Sequence, residues 1–218
     1  MPRTPTTSSA RRTRDRVLDA GLELFNERGS AAVTTNHVAA RAGISPGNLY
    51  YWFGDKDEIV RELYARLVAA HEALWAVGDD RPADLTPDEL LDRIAGGAAL
   101  SRRYAFLARD LLGLLHADPV LADAYAAVRA RRVALFTALA HGWRAQGVIR
   151  SLEDREIADL VQALWIISET WLAFGELDGA SVDADDGARL LRTVLRPHLT
   201  RDHPEPGLIA TSSAAVQS

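Results

Sequence analysis

Cysteine is absent from the 218-residue sequence, and lysine occurs only once, at Lys56. Without cysteine the chain can form no disulfide, cysteine-ligated zinc site, iron–sulfur cluster or thiol nucleophile, and a reducing cytosol is the expected compartment. No apolar run approaches the ~18 to 20 residues that a membrane span requires. Residues 1–10 also lack the apolar segment of a signal peptide. These absences predict a cytoplasmic protein with no membrane partner.

Motifs that would mark a catalytic, metal or nucleotide site are also scarce. No Walker loop, Gly-x-Gly-x-x-Gly or His-Glu-x-x-His occurs, and the six histidines show no metal-ligand spacing. We therefore expect no catalytic residue, no metal site and no cofactor, and the chain is not expected to be an enzyme. Catalysis inside a helical cavity would require a turnover that nothing in the sequence predicts.

The net charge of −5 argues, by itself, against a nucleic-acid partner. The charge is distributed unevenly, however. Residues 1–53 carry seven arginines and four acidic residues, a net charge of +3, whereas residues 54–218 carry a net charge of −8. A small basic segment attached to a larger acidic one is expected where only one end of a protein meets phosphate.

Apolar residues recur at helical spacing along almost the whole chain, and strand alternation is absent. The first helix is expected from Thr13 to Gly29, and two short helices are expected on either side of a turn at residues 43–45. Residues 1–10 and 201–218 show no periodicity and are expected to be mobile tails. The pattern predicts an all-α fold.

Longer helices are expected beyond residue 54. The last two span about residues 154–177 and 183–199, judged from the apolar spacing. The Gly96–Gly97 pair is expected to break or bend a helix before Tyr104, because glycine is a poor helix former. Three earlier helix starts are marked by capping residues: Asp55, Thr86 and Asp118.

Residues 34–53 predict a helix, a turn and a second helix, which is helix-turn-helix geometry. The spacing alone is a modest signal, because helix–Gly–helix units are common in bundles. Leu49 and Phe53 lie four residues apart and are expected to point inward. The other residues of this helix are then expected on its outward face. They suit contact with phosphate or a thymine methyl, or else packing on a neighbour. These residues are Pro46, Gly47, Asn48, Tyr50, Tyr51 and Trp52.

Residues 39–59 (AARAGISPGNLYYWFGDKDEI) closely resemble the signature of TetR-family repressors, and residues 20–29 resemble that family's first helix. The resemblance implies a helix-turn-helix domain at 11–55 and a helical ligand-binding and dimerisation domain at 56–200, about nine helices in all. It further implies a homodimeric repressor that binds double-stranded DNA at a near-palindromic operator and is released by an unidentified small-molecule effector. The alternative is an all-helical ligand-binding or scaffolding dimer whose DNA-binding head has lost its function.

The resemblance also assigns roles by position. Pro46, Gly47, Asn48 and Tyr51 lie where the family reads base edges, and Asn48 is suited to bidentate pairing with adenine. Arg11, Arg12 and Arg14 are expected either to add contacts from a mobile arm or to lie at a solvated helix start. Trp52 departs from the histidine common in the family, but its indole N–H still suits a phosphate. The complete expected DNA-binding set is Arg12, Arg14, Thr35, Ser45, Pro46, Gly47, Asn48, Tyr50, Tyr51, Trp52 and Lys56.

For the rest of the chain, the resemblance implies an effector cavity within helices four to eight and a dimer interface on the last two helices. Each candidate also has an ordinary core interpretation. The candidate ligand-binding residues are Leu67, His71, Trp75, Tyr104, Phe106, Arg132, Trp143, Trp165 and Trp171. The candidate interface residues are Leu160, Leu164, Trp171, Leu191, Val194 and Leu195.

Arg132 falls in the middle of an apolar helical stripe that runs from Leu121 to Trp143. A guanidinium buried alone is costly, so it must pair with a carboxylate or meet an anionic ligand. Asp110 and Glu169 are the candidate partners. An ion pair, a ligand contact and a solvent-exposed side chain all remain open from the sequence.

Overall fold

The computed structural model describes residues 8–75, 85–177, 179 and 181–200. Over these ranges the chain forms nine α-helices, and its only bridge of the β type joins Ile149 to Leu199. The all-α prediction is confirmed, whereas the tails expected at 1–10 and 201–218 fall almost wholly outside the described residues. The helices are α1 Ser8–Arg28, α2 Thr35–Arg41, α3 Pro46–Trp52, α4 Lys56–Trp75, α5 Pro87–Arg103, α6 Ala105–Ala117, α7 Pro119–Ala145, α8 Asp154–Gly175 and α9 Ala184–Leu195.

Helix α1 begins at Ser8, five residues before the predicted start at Thr13. No glycine or proline interrupts the helix before Gly21, and the Thr13 hydroxyl donates to the Ser9 carbonyl at 3.2 Å. The arginines at 11, 12 and 14 therefore lie on a helix, and the prediction that they extend from a mobile arm is wrong. The helix ends as predicted at Gly29, whose φ of 76° suits glycine.

The next two helices form around local capping contacts, as their sequence predicts. The Thr34 side chain accepts from the backbone N–H of His37 and so caps α2. Gly43 then turns the chain with a φ of 65°. The Ser45 hydroxyl accepts from the Asn48 N–H and caps α3, with Pro46 at the first helical position. These contacts position α3 on α1 and α2. Helices α1–α3 are called the head below, and helices α4–α9 the body.

Helices α4 and α5 pack closely where two glycines face α4. Helix α5 is continuous through Gly96 and Gly97, so the predicted break at these residues is wrong. A Cβ on Gly96 would lie 2.9 Å from Leu74 Cδ1, and one on Gly97 would lie 3.4 Å from His71 Cε1. The glycines allow the helices to approach, and the chain instead changes direction at Tyr104, between α5 and α6.

Helices α7, α8 and α9 complete the body. Helix α7 runs for 27 residues from Pro119, with Asp118 accepting from the N–H groups of Val120 and Leu121. Helix α9 lies close to α8 because Gly187 has no side chain: a Cβ there would be 2.5 Å from the Trp171 ring. By length and composition alone α8 could cross a membrane. It is instead a helix of the bundle, where Ile157 and Leu172 are fully buried.

Polar contacts join the head to the body. Asn26 near the end of α1 donates to the Arg103 carbonyl at 2.9 Å and accepts from the Phe106 N–H at 3.0 Å. Ser30 donates to the Asp110 carboxylate through both its N–H and its hydroxyl, at 2.9 and 2.6 Å. The junction between α5 and α6 therefore bonds directly to the end of α1.

Candidate functional site

The outward face of α3 carries most of the residues predicted for it. Pro46, Gly47 and Asn48 are exposed, and Tyr50 and Tyr51 retain 53% and 49% of their accessible surface. Leu49 and Phe53 are fully buried, as their spacing predicts. A short helix thus presents an amide, a glycine and two phenol rings to solvent at one end of the molecule.

Trp52 does not belong to this face, and its predicted outward position is wrong. The side chain is only 8% exposed and is part of the head core. Trp52 follows Leu49 by three residues, so it lies on the same side of the helix. Its ring meets Tyr51 edge-on at 4.8 Å between centroids. The indole N–H is buried without a hydrogen-bond partner among the described residues.

Three hydroxyl residues of the predicted set already have partners in the head. The Thr35 and Tyr50 hydroxyls lie 2.9 Å apart, which fixes the Tyr50 ring against the start of α2. Ser45 is the cap of α3. Residues 43–47 also fit the Gly-x-Ser-x-Gly pattern of hydrolases. Here, however, the serine lies between two helices rather than after a strand, so the nucleophile elbow is not formed.

The basic residues of the predicted set differ in accessibility. Arg12 is exposed. The Arg14 guanidinium lies 5.1 Å from the centre of the Phe53 ring and pairs with Glu62 at 2.7 Å, leaving the side chain 17% exposed. Lys56 donates to the Ser30 carbonyl at 2.8 Å. Arg14 therefore stabilises the packing of α1 on α4 instead of extending from a mobile arm, and its DNA contact stays a prediction.

A cavity of about 160 Å³ lies between helices α4, α5, α7, α8 and α9. A smaller one of about 60 Å³ adjoins it on the side of α6. Phe106 lines neither cavity. It is fully buried and packs on Phe25, with ring centroids 5.1 Å apart, so the prediction that it contacts the ligand is wrong. The predicted residues on the larger cavity are His71, Trp75, Arg132, Trp143, Trp165 and Trp171, and those found only on the smaller one are Leu67 and Tyr104.

Much of the cavity wall was not predicted. Trp75 packs edge-on against Phe136, with centroids 4.9 Å apart, and the Trp143 indole N–H is taken by the Leu85 carbonyl at 2.7 Å. These side chains therefore offer the interior an apolar surface. Helical spacing could not separate wall from core, because both are apolar stripes. The other wall residues not foreseen include Leu90, Ile94, Leu139, Ala140, Ile149, Val161 and Ser168.

The polar groups of the two cavities are concentrated where they meet. The Arg132 Nη2 is buried and has no hydrogen-bond partner among the described residues, and burial lowers the pKa of this guanidinium. Burial also lowers the pKa of His71 to about 4, with the charge of Arg132 acting in the same direction. Burial raises the pKa of Glu169, which hydrogen-bonds to Tyr125. The Asp110 carboxylate accepts a hydrogen bond from Ser30, so the prediction that Asp110 pairs with Arg132 is wrong.

The six candidate interface residues face their own bundle. Leu160, Trp171, Leu191 and Leu195 are buried, and Leu164 and Val194 pack against the same core cluster as Leu160. The assignment of the four buried residues to an intermolecular surface is therefore wrong, whereas that of the partly buried Leu164 and Val194 stays a prediction. The exposed large apolar residues on or directly after α8 and α9 are Ile166, Phe174, Leu177 and Leu190.

Comparison with known proteins decides the family. The family model described as a bacterial transcriptional repressor, TetR, matches residues 57–206, and the model described as bacterial regulatory proteins of the tetR family matches residues 17–63. The chain belongs to the TetR family. It is therefore a transcriptional regulator of a non-enzymatic, DNA-binding type, and the family resemblance seen in the sequence is confirmed.

Individual relatives agree with this assignment. The crystal structure of a TetR-family regulator from Marinobacter aquaeolei has a TM-score of 0.79 at 30% identity, covering 89% of this chain and 94% of that one. A transcriptional repressor of Mycobacterium tuberculosis is 33% identical over 143 residues, 59% of this chain and 70% of the relative. The regulators TtgW and SrpR of Pseudomonas putida are each 35% identical over 60 residues, 28% of this chain, and the match spans 45% and 28% of their own lengths.

Proposed function

We propose that this TetR-family regulator is a cytoplasmic homodimeric repressor that binds a near-palindromic operator and is released by a small molecule held in the cavity. The observation that carries the proposal is the outward face of α3, which presents Asn48, Tyr50 and Tyr51 from a helix held in place by its cap and by the buried Leu49. A recognition helix inserted in the major groove requires this arrangement.

The contacts follow from the chemistry of that face. Asn48 pairs with adenine through its amide, and Gly47 permits close approach because no atom lies within 4 Å of where its Cβ would be. Tyr51 contacts a base edge. The Thr35 and Tyr50 hydroxyls are hydrogen-bonded to each other, so both can contact the same phosphate. Lys56 uses one N–H donor on the Ser30 carbonyl and retains others for a second phosphate.

A substitution pair tests these contacts. Asn48→Ala with Tyr51→Ala should reduce affinity for the DNA upstream of the protein's own gene by about two orders of magnitude, since a base contact contributes about 1–3 kcal/mol. Asp123→Ala, an exposed position on α7, is the control and should bind as the wild type does. Fluorescence anisotropy measures both. An unchanged affinity in the double variant would show that α3 does not read the operator.

Homodimerisation is proposed on the exposed apolar side of α8 and α9. Phe174 and Leu177 are 69% and 74% exposed, and Ile166 lies two helical turns before Phe174 on the same side. Leu190 adds an exposed leucine from α9. A two-fold axis through this surface would bury each patch against its copy, forming a four-helix interface.

Sedimentation analysis tests the interface. Phe174→Asp combined with Leu190→Asp should shift the protein from dimer to monomer, because each change places a charge in a desolvated contact. Leu112→Asp is the matched control: this leucine is 71% exposed but lies on α6. If the control dissociates the dimer and the double variant does not, the interface lies elsewhere.

Coupling between cavity and head is proposed to run through α4. This helix places His71 on the cavity and Ile59 in the head core, so a displacement at one end reaches the other. Paired heads must present their helices about 34–36 Å apart to fit successive major grooves. A shift of a few ångströms therefore weakens operator binding. The alternative of a ligand-binding dimer with a non-functional head predicts no operator affinity at all.

A further inference from the structure

The polar residues of the cavity lie at one point. Ser101, Ser168 and Glu169 line both the larger and the smaller cavity, as do His71 and Arg132. Away from this point the larger cavity is lined mainly by apolar side chains such as Trp75 and Phe136, together with Arg93, which donates to the Leu74 carbonyl at 3.1 Å. A molecule that fills the larger cavity therefore meets most of its polar groups at the end shared with the smaller cavity.

The charge at this point is unbalanced. The Arg132 Nη2 is inaccessible to solvent and unpaired among the described residues, although a buried guanidinium requires an acceptor. Two other carboxylates have their own partners: Asp110, a candidate from the sequence, accepts from Ser30, and Glu72 accepts from Arg131 at 3.2 Å.

Glu169 is the remaining acid, and its charge attracts Arg132 although it forms no hydrogen bond with the Arg132 Nη2. Its hydrogen bond is to Tyr125, whose hydroxyl also accepts from the Trp165 indole at 3.2 Å. Burial raises the pKa of Glu169, while the charge of Arg132 acts in the opposite direction. His71 is neutral near pH 7, and its Nδ1 is also buried without a partner among the described residues. One positive donor and one imidazole nitrogen thus remain for a ligand.

We propose that the effector is a small apolar organic acid whose carboxylate is bound by Arg132, with His71 bonding its second oxygen. This inference rests on the proposed function of the cavity as an effector site. The apolar part of the ligand lies between Trp75, Phe136 and Leu139. The cavity of about 160 Å³ is close to the about 150 Å³ of an engineered cavity that admits benzene. A ligand with one or two rings is therefore the expected size.

Binding of 2-naphthoate and its neutral analogue 2-naphthamide tests the proposal. Titration calorimetry on the full-length protein, without DNA, should show the carboxylate bound at least about tenfold more tightly than the amide, because only the carboxylate forms the charge-assisted pair. Arg132→Met should remove this preference by weakening naphthoate about tenfold or more while leaving naphthamide within about twofold. Arg131→Met, the exposed neighbour on the same helix, should leave both affinities unchanged.

Further variants separate a folding defect from a binding defect. Arg132→Lys keeps the charge and should retain part of the preference for naphthoate, and Glu169→Gln should retain or strengthen it. Equal affinities for acid and amide in the wild type, no binding of either probe, or a preference that survives Arg132→Met in a folded protein would overturn the proposal. The titrations contain no DNA, so the two proposals can fail separately. A protein that prefers naphthoate but does not bind its operator would contradict the proposed function and leave the acid class intact. Operator release by naphthamide alone would support the proposed function and overturn the acid class.

Discussion

Replacing Arg132 by methionine should stabilise the ligand-free protein. The substitution removes a guanidinium whose Nη2 is buried without a partner among the described residues, and it retains an unbranched apolar side chain along the cavity wall. An unsatisfied buried donor costs about 1–3 kcal/mol, and more when it is charged. The attraction between Arg132 and Glu169 is lost at the same time. A net increase in the free energy of unfolding of about 1–2 kcal/mol is therefore expected.

Urea denaturation followed by circular dichroism measures this change. For a chain of this size the increase corresponds to a rise in Tm of about 2–4 °C for each kcal/mol. Arg131→Met is the control, because that side chain is 61% exposed and its ion pair with Glu72 lies at the surface. Its effect should stay within about 0.5 kcal/mol. A loss of about 2 kcal/mol or more in Arg132→Met would refute the reasoning, since it would mean that the guanidinium is well paired in the folded state.

Other perturbations test other parts of the structure. His71 has a pKa lowered to about 4. Its contribution to stability is therefore complete above about pH 6.5 and is lost as the pH falls towards 4. In urea titrations His71→Gln should reduce this loss of stability by about 2–3 kcal/mol. Gly187→Ala should destabilise the protein by about 1–3 kcal/mol, because the added Cβ would clash with the Trp171 ring. Gly113→Ala has open space around it and should instead stabilise α6 by about 0.5–1 kcal/mol in thermal melts. Trp52→Phe should leave operator affinity unchanged in anisotropy titrations, because the indole N–H is buried; a large loss would return Trp52 to the DNA contacts.

Features set by local contacts were predictable from the sequence. The caps at Asp55, Thr86 and Asp118 each depend on residues no more than three positions away, and all three form as expected. The turn at Gly43 likewise requires a positive φ that glycine supplies. The helix-turn-helix was therefore recognisable, and with it the family.

Features set by tertiary packing were not predictable. Trp52 is an exception: it follows Leu49 by three residues, and this spacing indicates the buried side of α3. Gly96 looked like a helix breaker but serves close packing against Leu74. Leu160 could equally have been core, cavity wall or interface, since an apolar stripe has the same spacing in all three cases.

The central claim is that the outward face of α3 reads a specific DNA sequence. The most direct test compares the affinity of the wild-type protein for its own upstream DNA with that for scrambled DNA of equal length, at physiological salt. Specific binding should exceed non-specific binding by about three orders of magnitude or more, and Asn48→Ala should lose at least tenfold of that ratio. Equal affinity for the two DNAs would contradict the account.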